Sequence, residues 1–159
     1  MMARQQHSSP PKLWVFLVDD EPVVRRGLRL LLSLEENLMV CGEATSENEA
    51  FEGISKLRPH LAVVDLSFEE GDGLSLIKRL HQLCPTLKIM VFSMHDQVDF
   101  ATAAFAAGAH GYVVKEEGSE KVVEAIQVIM SGGCYLSERI AAKAPGLMQR
   151  VGLRSRARP

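Results

Sequence analysis

The sequence predicts an α/β fold, a doubly wound sheet of five parallel strands with a helix after each. Three observations predict it. Apolar runs of roughly four to eight residues alternate with longer segments of helical period, as βα units require. The runs are near-continuous in Val, Leu, Ile and Met, which suits strands covered on both faces. Five polar positions, Asp19, Asp20, Asp65, Ser93 and Lys115, stand where those runs end, and in a parallel sheet the carboxyl ends of strands share one edge.

Strands are expected over 13–18, 38–42, 61–65, 87–92 and 111–114, with Trp14 taken as core packing. The first helix opens at Asp20-Glu21-Pro22, where acids favour the positive helix end and Pro is tolerated in the first turn. It places Val24, Leu28 and Leu31 on one face and Arg25, Arg26 and Arg29 on the other. The second carries Ala50, Ile54 and Leu57, and Pro59 stops it by Arg58. The third carries Leu74, Ile77 and Leu80 and ends before Pro85. The fourth, over 97–107, is Ala-rich with a thin apolar face and closes at Gly108 in a left-handed cap. The fifth opens at Ser119, carries Val122, Ile126, Ile129 and Met130, and ends at Gly132-Gly133.

The 159 residues are 47% hydrophobic and 24% charged, enough for one domain that buries roughly two-thirds of its unfolded surface. Cys41, Cys84 and Cys134 are odd in number, widely spaced and free of any CxxC pair. That speaks against a disulfide frame or zinc site and for small buried thiols in a reducing compartment. The segment MMARQQHSSPP lacks an apolar core, and no run of about 18 apolar residues occurs, so neither secretion nor membrane spanning is indicated and a cytoplasmic location is expected. The net charge of −2 conceals an asymmetry. Residues 138–159 carry Arg139, Lys143, Arg150, Arg154, Arg156 and Arg158 against Glu138, leaving −7 for the remainder. A short basic stretch ending in LRSRARP reads as a solvated linker or frayed terminus. The expected organisation is a flexible N-terminus over 1–11, one domain over 12–133 and a basic linker or tail over 134–159, without a complete DNA-binding domain.

One carboxylate suffices to cap a helix, whereas Asp19, Asp20 and Asp65 at one edge repel unless a cation joins them. Hard divalent ions such as Mg²⁺ take oxygen ligands and keep open positions for phosphate oxygens. The acids therefore point to a metal-assisted phosphoryl site. Asp65 ends a buried strand, where an unpaired carboxylate is costly, and a carboxylate can accept a phosphoryl group as an acyl phosphate. In the loop DLSFEEGDG that follows, Asp72 is read as the cap of the third helix and Gly73 as allowing its tight start. Lys115 supplies a compact ammonium suited to phosphate. His95 is read as tuning access to the crevice rather than ligating Mg²⁺, which prefers oxygen. His7, His60, His81 and His110 show no ligand spacing.

Together, Asp19-Asp20, Asp65, Asp72-Gly73, Ser93, Gly108-Ala109, Tyr112 and Lys115 resemble the receiver domain of bacterial two-component response regulators over about Lys12 to Met130. The phrases FSMHD, AAGAHGYVVK and SGGCYLS are similar to the NarL/FixJ (LuxR-type) subgroup. This resemblance implies a flavodoxin-like (βα)5 fold with strand order 2-1-3-4-5. It implies Asp65 as phosphoacceptor, with Mg²⁺ held by Asp20, Asp65 and the backbone carbonyl of Ser67, and Asp19 helping through water. Lys115 would pair with the phosphoryl group. Ser93 would swing to hydrogen-bond it, drawing the loop after strand four inward, and Tyr112 would then turn from exposed to buried. The implied partner is a histidine kinase, and phosphorylation would favour a homodimer through the helix 4–strand 5–helix 5 face or the helix 1–helix 5 face. DNA would be reached only through an output domain absent from these residues. Glu69 stands where the wider family commonly has Pro, Met94 where it has a small residue, and Glu116 where Pro often follows the lysine. Met94 beside Ser93 would narrow access to Asp65.

The expected function is reception of a phosphoryl group rather than turnover, with a switched protein-binding surface serving as the regulatory part of a transcription regulator. A stand-alone receiver acting through protein contacts is the alternative. A Mg²⁺-dependent phosphohydrolase fits less well, because Asp65-Leu66-Ser67 offers no second acid two residues past the nucleophile. A flavodoxin-like cofactor binder ranks last, since Asp-Asp-Glu-Pro is acidic where a phosphate cradle needs N–H groups.

Overall fold

A computed structural model of the chain describes residues 11–156, with side-chain surroundings as far as residue 152. Six strands, β1 (Leu13–Val18), β2 (Leu38–Ala44), β3 (Leu61–Val64), β4 (Lys88–Ser93), β5 (Gly111–Val114) and β6 (Tyr135–Leu136), form one sheet in the order β2-β1-β3-β4-β5-β6. All neighbours pair in parallel. The order 2-1-3-4-5 is thus present, and β6 extends it beyond β5.

Successive strand residues point to opposite faces, and both faces are covered. Val15, Leu17, Val63, Phe92 and Val113 pack with Leu28 and Leu32 of α1 (Pro22–Ser33) and with Val122, Ile126 and Ile129 of α5 (Glu120–Met130). Phe16, Val18, Val64, Val91 and Tyr112 pack with α2 (Glu47–Leu57), α3 (Gly73–Leu83) and α4 (Val98–Ala107). Each buried Leu or Ile contributes about 1.5–3 kcal/mol relative to exposure. This two-sided cover leaves the ends of the sheet as the places where polar groups can gather.

Local expectations hold at several helix ends. The Asp72 side chain caps α3 by accepting from Leu74 N at 3.0 Å. Pro22 sits in the first turn of α1, Ser119 precedes α5, and α2 stops at Arg58 in a left-handed conformation. Gly108 closes α4 with φ +122°, a region open to glycine but strained for residues with a Cβ.

Other expectations are corrected. Trp14 is 38% exposed, because it stands near the start of β1, at the margin of the core that Val15, Phe16 and Leu17 enter. Leu57, at the last turn of α2, is also 38% exposed. On α1 the inward residues are Leu28 and Leu32, while Leu31 is half-buried. The three cysteines are half-buried and free. β2 runs two residues further than expected, and Ser93 is the last residue of β4 rather than the first beyond it. The stretch expected as a linker or tail is folded over most of its length. After β6 come α6 (Glu138–Lys143) and α7 (Leu147–Arg156). Leu136, Ile140, Leu147 and Val151 join the α4 side of the core, an apolar spacing that the clustered arginines obscured. Residues 1–10 of the expected flexible N-terminus lie outside the described residues.

Candidate functional site

Adjacent strands bring the acids together. Asp19 follows β1 and Asp65 follows β3, and the two backbones are tied there by Asp65 N donating to Val18 O at 2.9 Å. Lys115 opens the 3-10 turn after β5 and reaches back across the β4 end. Its Nζ lies 2.8 Å from Asp19 Oδ2, 3.0 Å from Asp65 Oδ2 and 3.4 Å from Glu21 Oε1. All three principal groups are nearly sealed from solvent, with side-chain exposures of 7% for Lys115, 4% for Asp19 and 6% for Asp65. Ser93 is fully buried, with its Oγ accepting from His95 N at 3.2 Å.

Burial opposes ionisation here, and the partners decide the outcome. Desolvation raises Asp19 above its ordinary value and outweighs the lowering bonds from Lys115 and Glu21 N–H; the nearby Asp65 charge adds to the rise. For Lys115 burial alone would lower the ammonium, but hydrogen bonds to Asp19 and Asp65 hold it above its ordinary value. It stays charged at neutral pH.

Oxygen ligands from Asp19, Asp20, Glu21 and Asp65 all lie within 4.8 Å of one another. A set of only carboxylate oxygens fits a hard cation such as Mg²⁺ and offers nothing to a soft one. The loop after β3 is fixed from several sides. Asp20 Oδ2 accepts from Glu69 N at 3.1 Å, Asp65 Oδ1 accepts from Ser67 N at 3.3 Å, and Glu47 Oε2 accepts from Asp72 N at 3.0 Å. A Cβ at Gly73 would stand 2.4 Å from Asp65 O and 2.5 Å from Leu66 Cα, so only glycine lets α3 start this close to the acid.

The model of the response regulator receiver domain family matches residues 15–127. This chain belongs to that family. The receiver is 38% identical over 128 residues to the DNA-binding transcriptional activator DevR/DosR of Mycobacterium tuberculosis, covering 80% of this chain and 59% of that protein. It is 34% identical over 129 residues to the transcriptional regulatory protein UhpA of Salmonella typhimurium, covering 81% and 64%. Among solved structures, a LuxR-family two-component response regulator from Aurantimonas sp. superposes with TM-score 0.81 at 33% identity, covering 88% of this chain and 99% of that one. The isolated receiver of RcsB from Salmonella enterica, in the presence of phosphomimetic BeF3-, gives 0.77 at 27%, covering 82% and 97%. The receiver spans only about three-fifths of the length of these curated relatives.

In the receiver, Asp19, Asp20, Asp65 and Lys115 converge as their strand-end positions predict. Ser93 sits at the same edge and bonds His95. Tyr112 is fully buried, its hydroxyl donating to His95 O at 2.8 Å, and burial pushes the phenol up to about 12. The ring is inward in this structure, at the buried end of the movement expected of it. Glu69, a departure from the family pattern, supplies the N–H that Asp20 accepts; a proline there would have none.

Three further residues belong to the site. Glu21 brings a fourth carboxylate, and the acidic run Asp19-Asp20-Glu21 was its only signal. Arg25 NH1 donates to Asp19 O at 2.6 Å and fixes the backbone beside the acids. Glu47 binds Ser75 Oγ at 2.7 Å, Arg79 NH1 at 3.1 Å and Asp72 N, anchoring the loop after β3 from α2; nothing in its spacing announced this.

Proposed function

We propose that this receiver is the regulatory portion of a transcription regulator, and that a histidine kinase phosphorylates it on Asp65 in the cytoplasm. The observation that carries this reading is the pairing of the buried Asp65 carboxylate with the Lys115 ammonium at 3.0 Å, in an oxygen-only acid cluster. An Asp65 carboxylate oxygen attacks phosphorus while the P–N bond to the donor histidine breaks, leaving an acyl phosphate and returning the electron pair to the imidazole. Asp20, Asp65 and the Ser67 carbonyl would hold Mg²⁺, and Asp19 would assist. Bound there, Mg²⁺ neutralises charge on the transferring group. Lys115 moves its ammonium from Asp65 to a phosphoryl oxygen, and Ser93 Oγ donates to another. A hydrogen bond to a charged oxygen is worth about 1.5–3 kcal/mol, a shift of roughly 10- to 150-fold.

Of the two faces considered for a homodimer, α1–α5 is favoured. The other is lined by the protein itself, since α6 lies against α4 and β6 pairs with β5. On α1 and its C-cap, Val23, Leu30 and Leu34 are 79%, 72% and 75% exposed, an apolar stripe of the kind that marks contact surfaces. DNA is reached through an output domain outside these residues, as the names of the longer relatives suggest. No described helix is long and apolar enough to cross a membrane.

The test is labelling by a small phosphoryl donor in Mg²⁺. Wild type should label and Asp65→Asn should not; labelling that survives the substitution refutes the assignment.

A further inference from the structure

His95 lies in the loop after β4, beside the crevice, and nothing in the proposed chemistry uses its side chain. Its N–H donates to Ser93 Oγ at 3.2 Å and its carbonyl accepts from Tyr112 Oη at 2.8 Å. Its Nε2 shares a hydrogen bond of 2.8 Å with Ser67 Oγ, across the mouth of the crevice. The ring also stacks on Phe100 of α4, with centroids 4.1 Å apart and planes 16° from parallel. One residue thus touches the loop after Asp65, both residues assigned to switching, and the first turns of α4.

The next residue continues the connection outward. Asp96 takes the Lys143 ammonium of α6 twice, at 3.4 Å through Oδ2 and at 3.1 Å through its carbonyl. On its other side α6 is held by Arg139, whose guanidinium pairs with Glu116 and whose N–H donates to Glu117 Oε1 at 3.0 Å. Both acids directly follow Lys115. The segment β6–α6 is anchored beneath these contacts by Ser137, fully buried, which bonds Tyr112 O and Val114 N through its own N–H and Oγ. So α6 has a fixed base and two polar grips, one on the loop after β4 and one on the turn after β5.

We propose that His95 and Asp96 are positioning residues that couple the loop after Asp65 to α6, making α6 a direct reader of the phosphorylation site. The inference rests on the proposed acceptor role of Asp65. When a group on Asp65 displaces Ser67, the bond from Ser67 Oγ to Nε2 carries the His95 side chain with it, and the resulting backbone displacement pulls the Asp96 carbonyl and carboxylate away from Lys143. The grip is weak by design of its exposure. An exposed ion pair corresponds to about two- to fivefold in an opening equilibrium, so a small shift of the loop is enough to release it. Phe100 carries the same displacement into α4, which gives α4 and α6 a common input.

The test compares amide hydrogen exchange of residues 138–143 with and without Mg²⁺ and beryllium fluoride, with ligand binding followed separately by thermal shift. In wild type, exchange in α6 should rise about two- to fivefold on binding. His95→Phe keeps the stack on Phe100 and loses the bond to Ser67; ligand should still bind and α6 should no longer respond. His95→Gln restores a donor toward Ser67 Oγ and should recover much of the response. Lys143→Met, on a half-exposed side chain, should raise the basal exchange of α6 and remove its dependence on ligand. An α6 that responds equally in wild type and His95→Phe, or that ignores bound ligand in wild type, overturns the proposal. Ligand binding that is absent from wild type, or indifferent to Asp65→Asn, overturns the acceptor reading instead.

Discussion

Replacing Lys115 with Met should convert the paired acid cluster into an unpaired one. The Nζ lies 2.8 Å from Asp19 and 3.0 Å from Asp65 at 7% side-chain exposure. With an effective dielectric of about 20, each contact amounts to about 5–6 kcal/mol of gross attraction, most of which desolvation of the three groups offsets. What survives is the penalty for stripping a buried pair from one side, about 3–5 kcal/mol. At about 2–4 °C per kcal/mol for a chain of this size, Tm should fall by about 6–20 °C. Urea unfolding and a thermal melt, both in metal-free buffer at neutral pH, measure the free-energy loss and the fall in Tm. The deficit should shrink as pH falls, because protonating one of the two stranded carboxylates removes their repulsion. It should also shrink in Mg²⁺, because the variant, freed of the competing ammonium, should bind the ion more tightly than wild type, and each tenfold in Kd gives about 1.4 kcal/mol more stabilisation at saturation. A neutral-pH loss below about 1 kcal/mol, or one indifferent to both acid and Mg²⁺, would refute the reasoning.

Three other outcomes follow from the geometry. Asp19 is held above its ordinary 3.8, so between that pH and its folded value the native state binds more protons and loses stability as pH rises. Asp19→Asn should therefore raise metal-free stability at neutral pH by about 0.5–2 kcal/mol while weakening Mg²⁺ binding, as calorimetry with and without the ion would show. Glu47 is the opposite case: burial works to raise it, but Ser75, Asp72 N–H and Arg79 together hold it below 4.5. Its contribution is complete above that pH and lost as pH falls through the folded value. Glu47→Gln should cost about 1.5–3 kcal/mol at pH 7 and almost nothing at low pH, read from urea midpoints. Gly73→Ala puts a Cβ against the Asp65 carbonyl; it should cost about 1–3 kcal/mol and slow labelling of Asp65 in a donor assay.

The strand ends were legible because a parallel sheet sends every carboxyl terminus to one edge, so Asp19, Asp65, Ser93 and Lys115 needed only the strand assignments to be placed together. Helix starts at Pro22 and Asp72 were legible because caps act over a few residues. Contacts between distant segments were not. Glu47 meets Asp72 across 25 positions, and His95 meets Ser67 across 28, with no periodicity to announce either. The folded segment 135–151 was hidden for another reason. Leu136, Ile140, Leu147 and Val151 are sparse apolar positions among basic residues, and their burial depends on an α4 whose Ala101, Ala104 and Ala107 lie flat enough to receive them. Trp14 misled because residue type argued for the core while its place near the start of β1 left it at the edge of the covered face.

The most direct test of the central claim is to locate the modification itself. After incubation with acetyl phosphate and Mg²⁺, reduction with borohydride converts an acyl phosphate to an alcohol that peptide mass spectrometry can place. The account predicts a single modified site at Asp65, absent when Mg²⁺ is chelated. Modification at Asp19, Asp20 or Ser93 instead, or none under conditions where Mg²⁺ binds, would contradict it.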